Sequence, residues 1–80
     1  MEVFNLKNLF DTKVGQNCKI LQILTEAPIK RRLIDIGLTP TCLVTCVGQS
    51  PLGDPKAFLI SGAVIAIRKE IAKEIMVKIC

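Results

Sequence analysis

The sequence of 80 residues has no histidine, tryptophan or tyrosine, and its few aromatic residues are all phenylalanine. The lack of histidine removes the side chain that most often serves as a general base near neutral pH. The acidic residues form no recognisable catalytic pair, and neither Ser50 nor Ser61 has a histidine or lysine motif around it. We therefore expect no enzymatic activity. Without tryptophan or tyrosine, the core is expected to be built from isoleucine, leucine and valine.

Long hydrophobic runs are also absent. The longest uninterrupted apolar run extends from Ala63 to Ile67, whereas a membrane helix needs ~20 residues. Met1 to Leu9 lacks the basic region, followed by an apolar region, that marks a signal peptide. We therefore predict a cytoplasmic protein without membrane insertion, and its length predicts a single domain over residues 1–80.

Metal and nucleotide sites find little support in the sequence. A tight metal site would need cysteines or carboxylates, and Cys42 and Cys46 lie on a predicted strand, ~13 Å apart. That separation is too large for one zinc ion. In a cytosolic chain without a signal peptide, all four cysteines are predicted to be thiols and not disulfides. No Gly-rich phosphate-binding motif is present. We therefore expect no metal site and no cofactor.

One short helix is delimited by its own residues. Pro28 fits a first helical turn, and Gly37 and Pro40 suit a helix end. Ile29, Leu33 and Ile36 recur on one face, which we expect to pack on the core. Strands are predicted at 17–24, 43–47, 56–60, 63–68 and 76–79, and a helical turn at 69–75. This spacing predicts an all-β fold, a small barrel with one short helix packed on it.

Two segments are candidates for recognition. Eleven basic and seven acidic residues give a net charge of +4, which favours an acidic partner. Arg31 and Arg32 either form a local ion pair with Asp35 or present a docking surface. Leu52, in a loop rich in proline and glycine, is either tucked onto the core or exposed as an apolar anchor.

These segments resemble the FeoA family. The resemblance rests on Arg31-Arg32-Leu33-Ile34-Asp35-Ile36-Gly37-Leu38-Thr39-Pro40, on Pro51-Leu52-Gly53-Asp54-Pro55, and on Gly62 followed by Ile65-Ala66-Ile67-Arg68. It extends over nearly the whole chain, from about Leu6 to Val77. It implies an SH3-like barrel and a cytosolic accessory role in bacterial ferrous-iron uptake, acting on the GTP-binding transporter FeoB. The same barrel forms the last domain of metal-dependent repressors.

The resemblance also implies where a partner binds. We expect a monomer that docks on the cytoplasmic part of FeoB through a set of polar and apolar residues: Arg31, Arg32, Asp35, Leu38, Leu52, Gly53, Asp54 and Pro55. Leu33, Ile36 and Gly37 are expected to be scaffold. Two alternatives stay open. One is a nucleic-acid-binding barrel, which the lack of tyrosine and tryptophan for base stacking disfavours. The other is a weak metal sensor with ligands from acidic, cysteine or backbone groups.

Overall fold

The computed structural model describes residues 6–80, so that residues 1–5 of the expected domain lie outside the described part. The elements follow one another along the chain as β1 (Leu6–Asn8), a 3-10 turn (Leu9–Asp11), β2 (Asn17–Ile23), α1 (Ala27–Asp35), β3 (Leu43–Gln49), β4 (Lys56–Ile60), β5 (Ala63–Ile67), α2 (Lys69–Ala72) and β6 (Ile75–Ile79). The predicted helix and strands are confirmed, with bounds that differ by a few residues at most.

Two local predictions differ from the structure. The sequence analysis did not predict β1, which has only three residues and is ordered by antiparallel pairing with β6. The helical turn predicted over 69–75 is shorter, because α2 ends at Ala72 and Ile75 begins β6. Ile75 is fully buried and pairs with Ile23 of β2. Pairing across the sheet therefore overrides the helical spacing of Ile71 and Ile75.

The strands form one six-stranded sheet in the order β1-β6-β2-β3-β4-β5. Each neighbouring pair is antiparallel. Register shifts between Ile20 and Gln22 and between Cys46 and Gly48 interrupt two of the pairings. Such irregularities increase strand bending and twist, and they help the sheet to curl around its core. The expected all-β fold, an SH3-like barrel with one main helix, is confirmed.

The core is mainly aliphatic, as predicted. Phe58 of β4 is its largest fully buried side chain. The same core cluster includes fully buried side chains from the sheet, the 3-10 turn and the turn after α1: Leu9, Cys18, Ile20, Leu38, Val44, Cys46, Ile60, Ile75 and Val77. The cysteines are free, with Cys18 and Cys46 buried and Cys80 exposed. The buried thiols therefore serve as small apolar side chains.

Burial of Cys18 predicts a loss of stability in alkaline solution. Burial, with smaller contributions from Cys80, Cys46 and Cys42, raises the pKa of the Cys18 thiol from 9.0 to about 11. The folded protein therefore holds this proton more tightly than the unfolded chain. The resulting stability is complete below pH 9 and is lost as the pH rises through 11, up to about 3 kcal/mol.

Chemical denaturation of the wild type and of Cys18→Ala between pH 8 and 10.5 measures this effect. The variant should be less stable at pH 8, because it leaves a small cavity, but should lose less of its free energy of unfolding as the pH rises. The exposed Cys80→Ala is the control and should keep most of the wild-type loss of stability, because Cys80 contributes less than burial to the raised pKa of Cys18. Parallel curves for all three proteins would contradict the assignment to Cys18.

Candidate functional site

Helix α1 ends in a turn that fixes it against the sheet. The Ile36 N–H donates to the Arg32 carbonyl at 3.2 Å, and the Leu38 N–H donates to the Leu33 carbonyl at 3.0 Å. Gly37 lies between them with φ +105°, a conformation that favours glycine. A Cβ atom at Gly37 would overlap the hydroxyl of Ser61 in the β4–β5 turn. The end of α1 is thus in close contact with that turn.

The inner face of α1 is only partly buried. Leu33 is buried and Ile36 is half-buried, in agreement with the expected core face. The expectation was wrong for Ile29, which is 37% exposed. Ile29 lies in the first turn of α1, beside a groove that is open to solvent. This part of the helix therefore offers apolar surface to a partner.

The polar candidates on α1 are exposed, and they lie on two sides of the helix. Arg31 and Asp35 line a shallow depression on one side, together with Lys30. Arg32 lines the groove on the other side, with Ile29 and Leu33. A partner that contacts both arginines must therefore cover α1 across its width.

Leu38 does not belong to the exposed surface. It was predicted to be an apolar docking residue, but its side chain is 0% exposed. The turn at Gly37 reverses the chain and directs Leu38 into the core, and this reversal is not evident from the helical spacing. Leu38 is therefore a core residue, and the prediction for it is corrected.

Leu52 has the opposite environment. It is 93% exposed, so the structure excludes the alternative in which Leu52 is tucked onto the core. The loop around it is held by its own hydrogen bonds. The Ser50 hydroxyl donates to the Asp54 carbonyl at 2.9 Å, the Ser50 N–H to the Pro55 carbonyl at 3.1 Å, and the Gly53 N–H to the Ser50 carbonyl at 2.8 Å. An ordered loop thus presents one apolar side chain to solvent.

The other loop residues that were predicted to dock are Gly53, Asp54 and Pro55, and they help to hold the loop in this conformation. Gly53 has φ +86°, which allows the turn behind Leu52. The Asp54 carboxylate accepts a hydrogen bond from the Lys69 N–H at 2.8 Å and so ties the loop to the start of α2. Pro55 is half-buried beneath the loop. The observed contacts of these three residues are therefore within the chain, and the exposed apolar surface of the loop belongs to Leu52.

The two predicted segments do not merge into one patch at the end of α1. Gly37 meets the turn at Ser61, which follows β4, whereas the Leu52 loop precedes Lys56 at the start of β4. The first and last Cα atoms of this 5-residue strand are about 13 Å apart. A partner that binds both segments must therefore span the β4–β5 side of the barrel.

The sequence analysis missed a groove of about 530 Å³ between α1 and the β5–α2 segment. Its walls are mainly apolar, with contributions from α1, β5 and α2: Pro28, Ile29, Leu33, Ile36, Ile65, Ala66, Ile67 and Ile71. Arg32 and Arg68 supply its charged groups. Periodicity could place Ile65 and Ile67 on one face, but only the packing of α1 shows what they face.

The sequence analysis also missed the buried Lys56. Its ammonium donates to the Phe10 and Thr12 carbonyls, at 2.7 Å each, and lies 4.8 Å from the centre of the Phe10 ring. The alternation of Lys56 with the core residues Phe58 and Ile60 could have revealed this, because residues two apart on a strand share a face. Lys56 thereby ties β4 to the segment after β1.

Residues 6–80 contain no group of three or more histidine, cysteine, aspartate or glutamate side chains placed to hold a metal ion. Within the same range, no helix has the length and apolar character needed to cross a bilayer. The features described above are an exposed leucine on an ordered loop, a basic helix and a mainly apolar groove.

Known structures share this fold. The FeoA protein from Chlorobium tepidum is 29% identical, with a TM-score of 0.86 over 90% of this chain and 69% of that one. Iron(II) transport protein A from Clostridium thermocellum is 26% identical, with a TM-score of 0.85 over 90% of this chain and 44% of that one. A manganese-dependent transcriptional repressor at 16% identity (TM-score 0.82, 94% of this chain and 41% of that one) shares the fold alone.

Comparison of the sequence with curated proteins finds no match. Comparison with protein families does find a match, and it agrees with the structural comparisons. Among protein families, the FeoA domain matches residues 7–79, which is nearly all of the sequence and includes α1, the Leu52 loop and the groove. The chain belongs to the FeoA family.

Proposed function

We propose that this protein is a non-enzymatic, cytoplasmic accessory protein of ferrous-iron uptake that docks on the cytoplasmic part of the transporter FeoB. Membership of the FeoA family supports the iron-uptake system as its setting. The docking surface comprises the Leu52 loop and the exposed face of α1. Iron is the cargo of the transporter, and docking acts by binding one state of the transporter more tightly than another.

The single observation that carries the docking proposal is Leu52. A leucine that is 93% exposed on a hydrogen-bonded loop is unusual in a small domain that needs its apolar residues for the core. Burying such a side chain against a partner contributes roughly 1.5–3 kcal/mol. Because the loop is already ordered, little conformational entropy is lost on binding.

Charge provides the second support. Arg31 and Arg32 are exposed on α1, and the whole chain carries a net charge of +4. A basic surface accelerates association with an acidic partner and orients it, more than it adds affinity. We therefore expect the association rate with the transporter domain to fall as the salt concentration rises.

Titration of the isotopically labelled protein with the soluble cytoplasmic domain of FeoB tests the proposal. Amide chemical shifts should change at residues 31–38 and 52–54; Pro55 has no amide proton. The Leu38 amide can respond through its turn even though its side chain is buried. An unchanged spectrum at high partner concentration would exclude docking on this domain.

Substitution of Leu52 gives a separate prediction. Leu52→Ala should weaken binding to the FeoB domain about tenfold or more, and should change the free energy of unfolding by less than about 0.5 kcal/mol. Leu24→Ala is a matched control, since Leu24 is 54% exposed and lies outside both docking segments. Calorimetric titration and chemical denaturation supply the two measurements. Equal affinities of the two variants would remove Leu52 from the interface.

A further inference from the structure

We propose that the groove between α1 and β5 binds an extended, acidic segment of the docking partner, which adds a strand to the free edge of β5. The inference rests on the proposed function, because it names the partner chemistry that the same side of the domain recognises. It depends on three properties of the groove: its apolar walls, its charge and the unpaired edge of the sheet.

The apolar walls define the first property. Ile29 of α1, Ile36 just after α1 and Ile65 of β5 line the groove, and these side chains are only partly buried in the free protein. The volume of about 530 Å³ is within the range of sites that enclose several side chains. A partner segment with apolar side chains would cover the isoleucine side chains that α1 leaves partly exposed.

The charge of the groove defines the second property. Arg32 projects from α1 and Arg68 from the start of α2, and both are exposed. Among residues 6–80, no aspartate or glutamate lines the groove to neutralise them. Two guanidinium groups on opposite walls favour carboxylates, which arginine can bind in a bidentate manner. The charge complement is therefore a segment that carries aspartate or glutamate.

The sheet edge defines the third property. Within residues 6–80, β5 is a terminal strand of the sheet and pairs with β4 alone. Ser61 and Gly62 form a two-residue turn with positive φ at both positions, so Ile60 and Ala63 form the first hydrogen-bonded pair. Hydrogen-bonded pairs alternate along an antiparallel ladder. The Val64 and Ala66 N–H groups consequently point away from β4.

An extended segment would satisfy all three properties together. Its backbone would bond to Val64 and Ala66, as in other cases of strand addition to a sheet edge. Its side chains on one face would contact the isoleucines, and its carboxylates would contact Arg32 and Arg68. An exposed apolar edge strand is otherwise a site of unwanted association, and occupation by a partner would cover it.

Charge reversal and hydrogen exchange test this inference with the soluble cytoplasmic domain of FeoB as the probe. Arg32→Glu and Arg68→Glu should each weaken binding on the order of tenfold or more. Lys73→Glu makes the same change in net charge on an exposed residue outside the groove and should weaken it less than about threefold. Binding should also slow hydrogen exchange of the Val64 and Ala66 amides. Amide spectra of the free variants verify that each one folds.

The outcomes separate this inference from the proposed function. If the FeoB domain binds and Leu52→Ala weakens it, but both arginine variants behave like Lys73→Glu, docking stands and the groove proposal is overturned. Unchanged exchange at Val64 and Ala66 in a saturated complex overturns the strand addition in the same way. If the FeoB domain does not bind at all, both proposals are overturned.

Discussion

Replacing Lys56 with methionine should lower the free energy of unfolding by about 2–4 kcal/mol. Methionine keeps much of the length of the side chain but removes all of its hydrogen-bond donors. The Phe10 and Thr12 carbonyls would then lose the ammonium that binds both of them at 2.7 Å. An unpaired buried acceptor costs about 1–3 kcal/mol, which is more than an intact hydrogen bond contributes.

The position of Lys56 in the fold explains why the effect should be large. Only 9% of the residue is exposed, and its ammonium connects β4 to the segment that follows β1. These groups are more than forty residues apart in the sequence. Loss of the lysine should therefore weaken the contact that holds β4 against the segment around Phe10. A substitution whose contacts lie within one strand would not have this effect.

Lys69→Met is the matched control for this prediction. Its ammonium lies 5.8 Å from the centre of the same Phe10 ring, but the residue is exposed. We expect its loss to change the free energy of unfolding by less than about 0.5 kcal/mol. Urea denaturation of both variants measures the difference. Equal free energies of unfolding for Lys56→Met and Lys69→Met would contradict the prediction, because they would mean that water replaces the hydrogen bonds of Lys56 at little cost.

Gly37→Ala should also destabilise the protein, by about 2–4 kcal/mol. Two costs combine at this position. Alanine at φ +105° is strained, and its Cβ would overlap the Ser61 hydroxyl and approach the Ser61 Cβ at 3.1 Å. The hydroxyl can rotate away, but the contact with the Ser61 Cβ still requires the end of α1 or the β4–β5 turn to shift by a few tenths of an ångström. Because α1 lines the groove, the same variant should also weaken binding of the FeoB domain.

Gly15→Ala separates the two costs. Gly15 also has a positive φ, +95°, but a Cβ there meets no atom within 4 Å. Gly15→Ala should therefore lose only the free energy of unfolding that backbone strain costs. The additional loss in Gly37→Ala should come from contact with Ser61. The double variant Gly37→Ala/Ser61→Gly should recover that remainder. Equal losses for the two alanine variants would show that the contact with Ser61 adds nothing to the strain.

The local elements were predictable from the sequence because they depend on neighbouring residues. Pro28 and Gly37 delimit α1, and β4 occupies the predicted residues 56–60. The motifs around α1 and the Leu52 loop also indicated the family, since they depend on residue order and spacing. Local signals of this kind act within a few residues of one another, so they can be recognised before any tertiary contact is known.

Long-range packing decided the rest, since each of these features depends on residues far apart in the chain. Leu38 is buried because it packs into a core cluster whose members include the distant Leu9 and Val77. Lys56 can occupy a buried position because carbonyls of a distant segment accept hydrogen bonds from its ammonium. The groove exists because α1 packs beside β5 and α2 without covering them fully. Sequence spacing assigns a residue to a face of its own element, but the fold alone determines what lies opposite that face.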